Sequence, residues 1–166
     1  MANRITYDAR PDLPDIRMSN GLTSVFIDVL ALAASSLAST ARECQIAAWI
    51  ASKDQGVYGP GTVGFDIADI PWEAENFTDD QAFLIRSIAA AKSKVDWDRL
   101  GYEPNEAWLM PCLDEFRVLL AEFRPDDISA SASIIGLAPS SQFEFERCSV
   151  HGIVQHAFGC PLCNAQ

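Results

Sequence analysis

Near its end the chain carries Cys148-Ser-Val-His151-Gly152 followed by Gly159-Cys160-Pro-Leu-Cys163-Asn164, a C-x2-H-x8-C-x2-C pattern. Three thiolates and one imidazole in two closely spaced pairs can converge tetrahedrally on one zinc ion, because each two-residue gap lets the chain turn back over the metal. The residue after the second ligand of such a knuckle often takes a positive φ, which Gly and Asn tolerate best. Gly152 and Asn164 occupy those places, and Pro161, with its fixed φ, stiffens the turn after Cys160. Only a small hairpin over about 152–158 fits between the two halves.

Four protein ligands leave no open position for water or substrate, so the zinc is read as a structural staple. The alternative is a site that also touches a partner. A disulfide framework fits less well, since the chain has five cysteines, an odd number, and no secretory signal pattern. Reduced thiols of a cytoplasmic protein suit a metal better. Cys44 and Cys112 fall in helical patterns and read as small buried hydrophobes. His156 reads as a surface residue, or one supporting a ligand from outside, and not as a fifth ligand.

The elements that must position this tail are mainly helical. Residues 1–19 carry Pro11 and Pro14 with no apolar period and read as an extended N-terminal arm. Leu22, Val25, Val29 and Leu32 have helical spacing, giving a central helix over Leu22–Ala38 in which Ser24, Asp28, Ser35 and Ser36 interrupt the apolar run. That run is near the minimum for crossing a bilayer and reads as a core helix. Thr40 and Glu43 form a capping box, with the glutamate returning to the threonine N–H, for a helix to about Lys53. Thr78 and Gln81 form another for a helix over 79–95, with Asp79 and Asp80 in its first turn and Lys92 and Lys94 in its last. Asn105 caps a last helix to Phe123, which Pro111 should kink or divide near Met110.

Between Gln55 and Phe77 stand Gly56, Gly59, Pro60, Gly61, Gly64 and Pro71, so a long irregular insertion is expected there. Its apolar residues, among them Val63, Phe65, Ile67, Ile70 and Trp72, should pack it onto the body. Its glycines make no phosphate loop, lacking the Lys and hydroxyl that the loop requires. Ile128–Ser141 reads as a linker or an edge strand, and Phe143–Glu146 as the strand entering a small β zinc-ribbon-like module. The organisation expected is mainly α: an arm at 1–19, a helical bundle-like domain at 20–124, a linker or edge strand at 125–142, and a zinc-binding module at 143–166. Zinc removal should then unfold 143–166 and leave the body intact.

Formal net charge is −11, and seven acids (Asp54, Asp66, Asp69, Glu73, Glu75, Asp79, Asp80) fall between Asp54 and Ile85 without a Lys or Arg. From Cys148 onward there is no charged residue, so the zinc module lacks the cations with which a nucleic-acid reader neutralises phosphates. The acidic stretch reads either as a solvated face or as a surface for a basic partner. Catalytic signatures are missing: both histidines lie in the tail, and there is no H-E-x-x-H and no nucleophile elbow. Tyr58, Trp72, Trp97, Tyr102 and Trp108 are candidate exposed anchors, with core packing the alternative for at least three of them.

The runs from Ser19 to Asp28, Gly64 to Trp72 and Leu100 to Pro104, together with the terminal knuckles, resemble a family of small bacterial proteins with a helical body and C-terminal Cys3His knuckles. The resemblance spans roughly residues 19–163 and implies no activity and no catalytic residue. In size and charge alone the chain is also similar to the acidic immunity proteins that neutralise toxic nucleases. The leading expectation is therefore a non-enzymatic binding module, an immunity protein or inhibitor that masks a basic site on a toxin or nuclease. Asp66, Asp69, Glu73 and Glu75 would supply the charge, and Tyr58 and Trp72 the apolar contact. The alternatives are a regulatory or adaptor zinc protein touching nucleic acid or a transcription complex, and an enzyme with a cleft between the helices and 55–77.

Overall fold

A computed structural model of the chain describes residues 3–128 and 145–165. Of the linker or edge strand expected at 125–142, the part from 129 onward lies outside them, as does the start of the entering strand at Phe143; Pro125–Asp127 forms a 3-10 turn.

Helix α1 (Asn20–Leu37) starts where Ser19 turns its Oγ to accept from the Leu22 N–H at 3.2 Å. Its residues from Phe26 to Ser35 are all buried, because α2 (Ala41–Ala51), α4 (Phe77–Lys92) and α5 (Glu106–Glu122) pack around it. A helix enclosed on nearly every side needs apolar residues on nearly every side. That explains why α1 is long and apolar enough to cross a bilayer by composition while serving as the core helix of this fold.

The helix boundaries show what capping residues can and cannot decide. Thr40 accepts from the Glu43 N–H at 3.1 Å as its spacing predicts, and the Glu43 carboxylate accepts chiefly from Ser39 N at 2.8 Å. The Thr78–Gln81 box does not form. A 3-10 turn at Ala74–Asn76 runs directly into α4 at Phe77, so Thr78 is already inside the helix. Gln81 points elsewhere and donates its amide to the Leu120 carbonyl at 2.7 Å, tying α4 to α5. Helix α5 continues unbroken through Pro111. The carbonyl that loses its partner there belongs to Ala107, which is exposed like Pro111, so water satisfies it.

Residues 3–17 are not an extended arm. Strand β1 (Arg4–Thr6) lies between β2 (Ile16–Arg17), antiparallel with Ile5 opposite Ile16, and β3 (Phe65–Asp66), parallel with Ile5 opposite Phe65. Ile5, Tyr7 and Ile16 are buried in the core, and Pro11 and Pro14 lie in the connection between β1 and β2. Too few apolar residues lie between the turns to show a period, yet three buried side chains anchor the segment at about 1.5–3 kcal/mol each.

The 55–76 insertion packs onto the body as expected, through the short helix α3 (Gln55–Tyr58), β3 and the buried residues Val63, Phe65, Ile67, Ile70 and Trp72. Trp72 is 1% exposed, stacks on Phe123 at 4.8 Å and donates its Nε1–H to the Ile67 carbonyl at 2.8 Å. The tail adds Cys148, Ile153, Val154, Cys160 and Leu162 to the same continuous core as the helices. Residues 145–165 therefore share one core with the body and do not stand apart as a module.

Candidate metal centre and the surface around it

The first knuckle is a tight hairpin. Cys148 N donates to Ile153 O and Gly152 N to Cys148 O, both at 2.8 Å, and an isolated antiparallel bridge pairs Arg147 with Val154. Gly152 has φ 72°, a conformation that favours glycine, and a Cβ there would also displace the Arg99 guanidinium. In the second knuckle Cys160 precedes a single helical turn, α6 (Pro161–Asn164). Asn164 is thus helical, with its N–H on Cys160 O at 3.0 Å, and the expected positive φ falls on Gly159 at 102°.

These two turns bring together the four predicted ligands. Cys148 Sγ, His151 Nδ1, Cys160 Sγ and Cys163 Sγ all lie within 4.8 Å of one another and can hold a metal ion. The sulfurs of Cys148, Cys160 and Cys163 stand 3.6, 3.6 and 3.4 Å from His151 Nδ1, and Cys148 Sγ stands 3.6 Å from Cys163 Sγ. Bond lengths of about 2.3 Å to sulfur and 2.0–2.1 Å to nitrogen imply tetrahedral edges of roughly 3.6–3.8 Å. The donor set therefore fits a small tetrahedral ion with little rearrangement.

The thiols are unequal. Burial acts against the Cys148 thiolate, but the N–H groups of His151 and Val150 and the side chains of His151 and Cys163 draw it down to about 6. Burial pushes Cys160 up to about 12 and also raises Cys163, and the Cys148 charge and hydrogen bond raise both further. Without metal one thiolate thus suppresses the ionisation of its neighbours, and an arriving cation must displace their protons.

The tail is fixed to the body by polar contacts that the sequence did not advertise. Asp54, 4% exposed, caps α3 by accepting from Gly56 N at 2.8 Å, and its Oδ2 accepts from Asn164 Nδ2 at 2.9 Å and faces His156 Nε2 at 3.2 Å. Phe158 N donates to His156 Nδ1 at 3.1 Å, so that nitrogen is unprotonated and Nε2–H is the donor to Asp54. His156 is hence a buried docking residue and not a surface one. Ser35 Oγ accepts from Val154 N at 2.9 Å, Arg147 reaches the carbonyls of Ser35 and Ala38, and Arg99 Nη1 donates to His151 O at 2.9 Å. Ser24, meanwhile, accepts from Gln55 Nε2 at 2.8 Å. Of the polar residues that interrupt α1, Ser35 receives the tail and Ser24 the 54–58 turn, and their helical spacing was the signal available in advance.

The proposed partner residues do not come together as one face. Trp72 is core. Asp66 and Asp69 form a reciprocal cap, and Asp66 also accepts from Thr6 Oγ1 at 3.1 Å and Asp8 N at 2.6 Å. Asp80, 2% exposed, is held by Arg42 at 2.6 Å, and Arg42 also reaches Glu73 at 3.5 Å. Glu75 is exposed, as is Tyr58 at 55%. Of the other aromatics Trp97 packs against the core, Trp108 is 65% exposed, and Tyr102 donates its hydroxyl to Asp28 at 2.7 Å. Trp97, Tyr102, Asp98, Glu103 and Glu106 line a cleft of about 610 Å³.

Most of the cations, by contrast, stand beside a carboxylate, several of them at the surface. Arg4, Arg10, Arg17, Arg42, Arg86, Lys92, Lys94 and Arg99 each pair with a carboxylate. Lys53 lies over the Trp49 ring at 4.5 Å. The outward-facing charge is left predominantly negative, at Asp8, Glu75, Asp79, Asp98, Glu103, Glu115 and Asp126.

Compared with protein-family models, with curated proteins and with solved structures, the chain matches none.

Proposed function

We propose that this is a zinc-stapled, non-enzymatic acidic protein that binds and masks a basic site on another protein, in the manner of an inhibitor or immunity protein of a toxin or nuclease. The observation that carries the reading is the unequal disposition of charge: eight cations stand beside carboxylates, several of them at the surface, while among the described residues exposed acids such as Glu75, Asp79, Asp98 and Glu103 lack such partners. An outward negative field of this kind speeds encounter with a cationic surface and competes for sites where phosphates bind. Zinc is the metal of choice for three thiolates and one imidazole, and a site closed by four protein ligands serves structure. The cations beside the knuckles, Arg147 and Arg99, are turned onto backbone carbonyls of Ser35, Ala38 and His151, which speaks against phosphate contacts by the knuckles.

The test is a pull-down of the tagged protein from its host's lysate at low and moderate salt, followed by association kinetics with the captured protein. A basic partner should bind more slowly as salt rises and as Glu75, Asp79, Asp98 and Glu103 are reversed to lysine. Salt-independent association, or capture of nucleic acid alone, would sink the reading. An enzymatic reading has one observation behind it: burial raises the Asp28 carboxyl to about 7, and it lies behind Tyr102 at the 610 Å³ cleft. Small molecules that protect the protein thermally and lose that effect in Tyr102→Phe would favour it.

A further inference from the structure

We propose that Asp28 is the outer carboxylate of the metal centre, accepting the Nε2–H of His151 across one water, with Tyr102 holding it in orientation. The inference rests on the four side chains being a metal site, and it adds a positioning residue on a distant element.

The starting observation is an acid where none is expected. Asp28 sits mid-way along the core helix α1, flanked by the buried Ile27 and Val29, and is itself 6% exposed. Among the described residues no Lys or Arg pairs with it, and its one hydrogen bond is from Tyr102 to Oδ2 at 2.7 Å, leaving Oδ1 without a donor. A buried carboxylate is costly unless something positive or strongly donating faces it. Burial and then Asp54 work against its charge; the Tyr102 hydrogen bond favours it most, and His151 favours it less.

The framework brings the two residues into one neighbourhood from three directions. The loop after residue 96 carries both Arg99, on the His151 carbonyl at 2.9 Å, and Tyr102, on Asp28. Two turns along α1 from Asp28, Ser35 takes Val154 N at 2.9 Å, just beyond the first knuckle. His151 itself turns Nδ1 to the three sulfurs, so with metal bound its proton lies on Nε2, directed away from them. Metal coordination strengthens that N–H as a donor, and a carboxylate acceptor fixes the ring and raises its basicity as a ligand. Such an acceptor would also answer the burial of Asp28.

The experiment uses the full chain loaded with zinc, comparing wild type with Asp28→Asn, Tyr102→Phe and Arg99→Lys. Zinc affinity is read by competition with a chelator, folding by circular dichroism, and the His151 Nε2–H by its solvent exchange in nitrogen-15 spectra. Asp28→Asn should weaken zinc binding by about 10- to 100-fold and speed exchange of that proton. Tyr102→Phe should move both readouts in the same direction by less, while Arg99→Lys should alter thermal stability and leave the proton protected. A folded Asp28→Asn protein with wild-type affinity and an equally protected proton would overturn the proposal. Should Asp28→Asn not fold, Tyr102→Phe decides, and an unchanged exchange rate there overturns it too. A wild-type chain that binds no zinc would instead refute the metal reading on which the proposal stands.

Discussion

The tail at 145–165 and the insertion at 54–76 are both irregular, both punctuated by glycine and proline, and both rich in residues that could do chemistry. They come out oppositely. In the tail, four ligands separated by fifteen positions converge within 4.8 Å, and the surrounding polar residues dock the cluster onto α1 and Asp54. In the insertion the acids disperse: Asp54 into the docking contacts, Asp66 and Asp69 into a cap, and Glu73 beside Arg42. Side chains whose spacing matches a turn meet at one point, whereas a run of like charges only states a composition, and backbone donors and distant cations then claim its members individually.

The largest way to break this comparison is to remove the metal. Structural zinc contributes about 10–16 kcal/mol, comparable to the whole stability of a domain. Because Ile153, Val154, Cys160 and Leu162 belong to the common core, Cys160→Ser with Cys163→Ser, or chelation, should abolish the cooperative melt of the helices, followed by circular dichroism at 222 nm. A helical melt unchanged by chelation would restore a separable module. Next, Arg42→Ala leaves Asp80 buried without its cation and should cost about 3–5 kcal/mol in urea unfolding, although it touches none of the tail. Asp54→Ala strips the acceptor from Gly56 N, His156 and Asn164 and should cost about 2–4 kcal/mol. If it cost no more than an exposed acid, the tail would not depend on the insertion.

A pH series sharpens the tail's side. Cys148, at about 6, is already a thiolate at neutral pH, while Cys160 and Cys163 are raised and hold their protons. Metal must release those two protons, so apparent zinc affinity should fall roughly 100-fold per unit as pH is lowered from 8 to 7. A tenfold slope would mean that a second thiol is ionised beforehand. The smallest effects separate acids that look alike in the chain: Asp66→Ala should cost about 1 kcal/mol through its lost cap, and Glu75→Lys less than about 0.5 kcal/mol.

Much of the body was legible in the sequence because long helices repeat their pattern: α1, α2, α4 and α5 stand where apolar spacing put them, and the Cys3His set converges as its spacing required. What escaped depended on contacts between distant segments. Strand β1 is three residues long and gains its meaning only from partners at Ile16 and Phe65. Asn164 looked like a left-handed knuckle residue, but its amide had a use 110 positions away at Asp54. Trp72 looked like an anchor because a tryptophan among acids invites that reading, and nothing local revealed the Phe123 ring waiting beneath it. Asp28 and Ser35 were noticed only as interruptions. Lying on one face two turns apart, they were already a recognisable docking stripe.

The contact between Ser35 and Val154 joins residues 119 positions apart. As the ribosome makes this chain, α1 emerges long before Val154, whose N–H Ser35 accepts. Until the tail follows, the Ser35 hydroxyl lacks that donor, so this contact with the core helix closes late in synthesis.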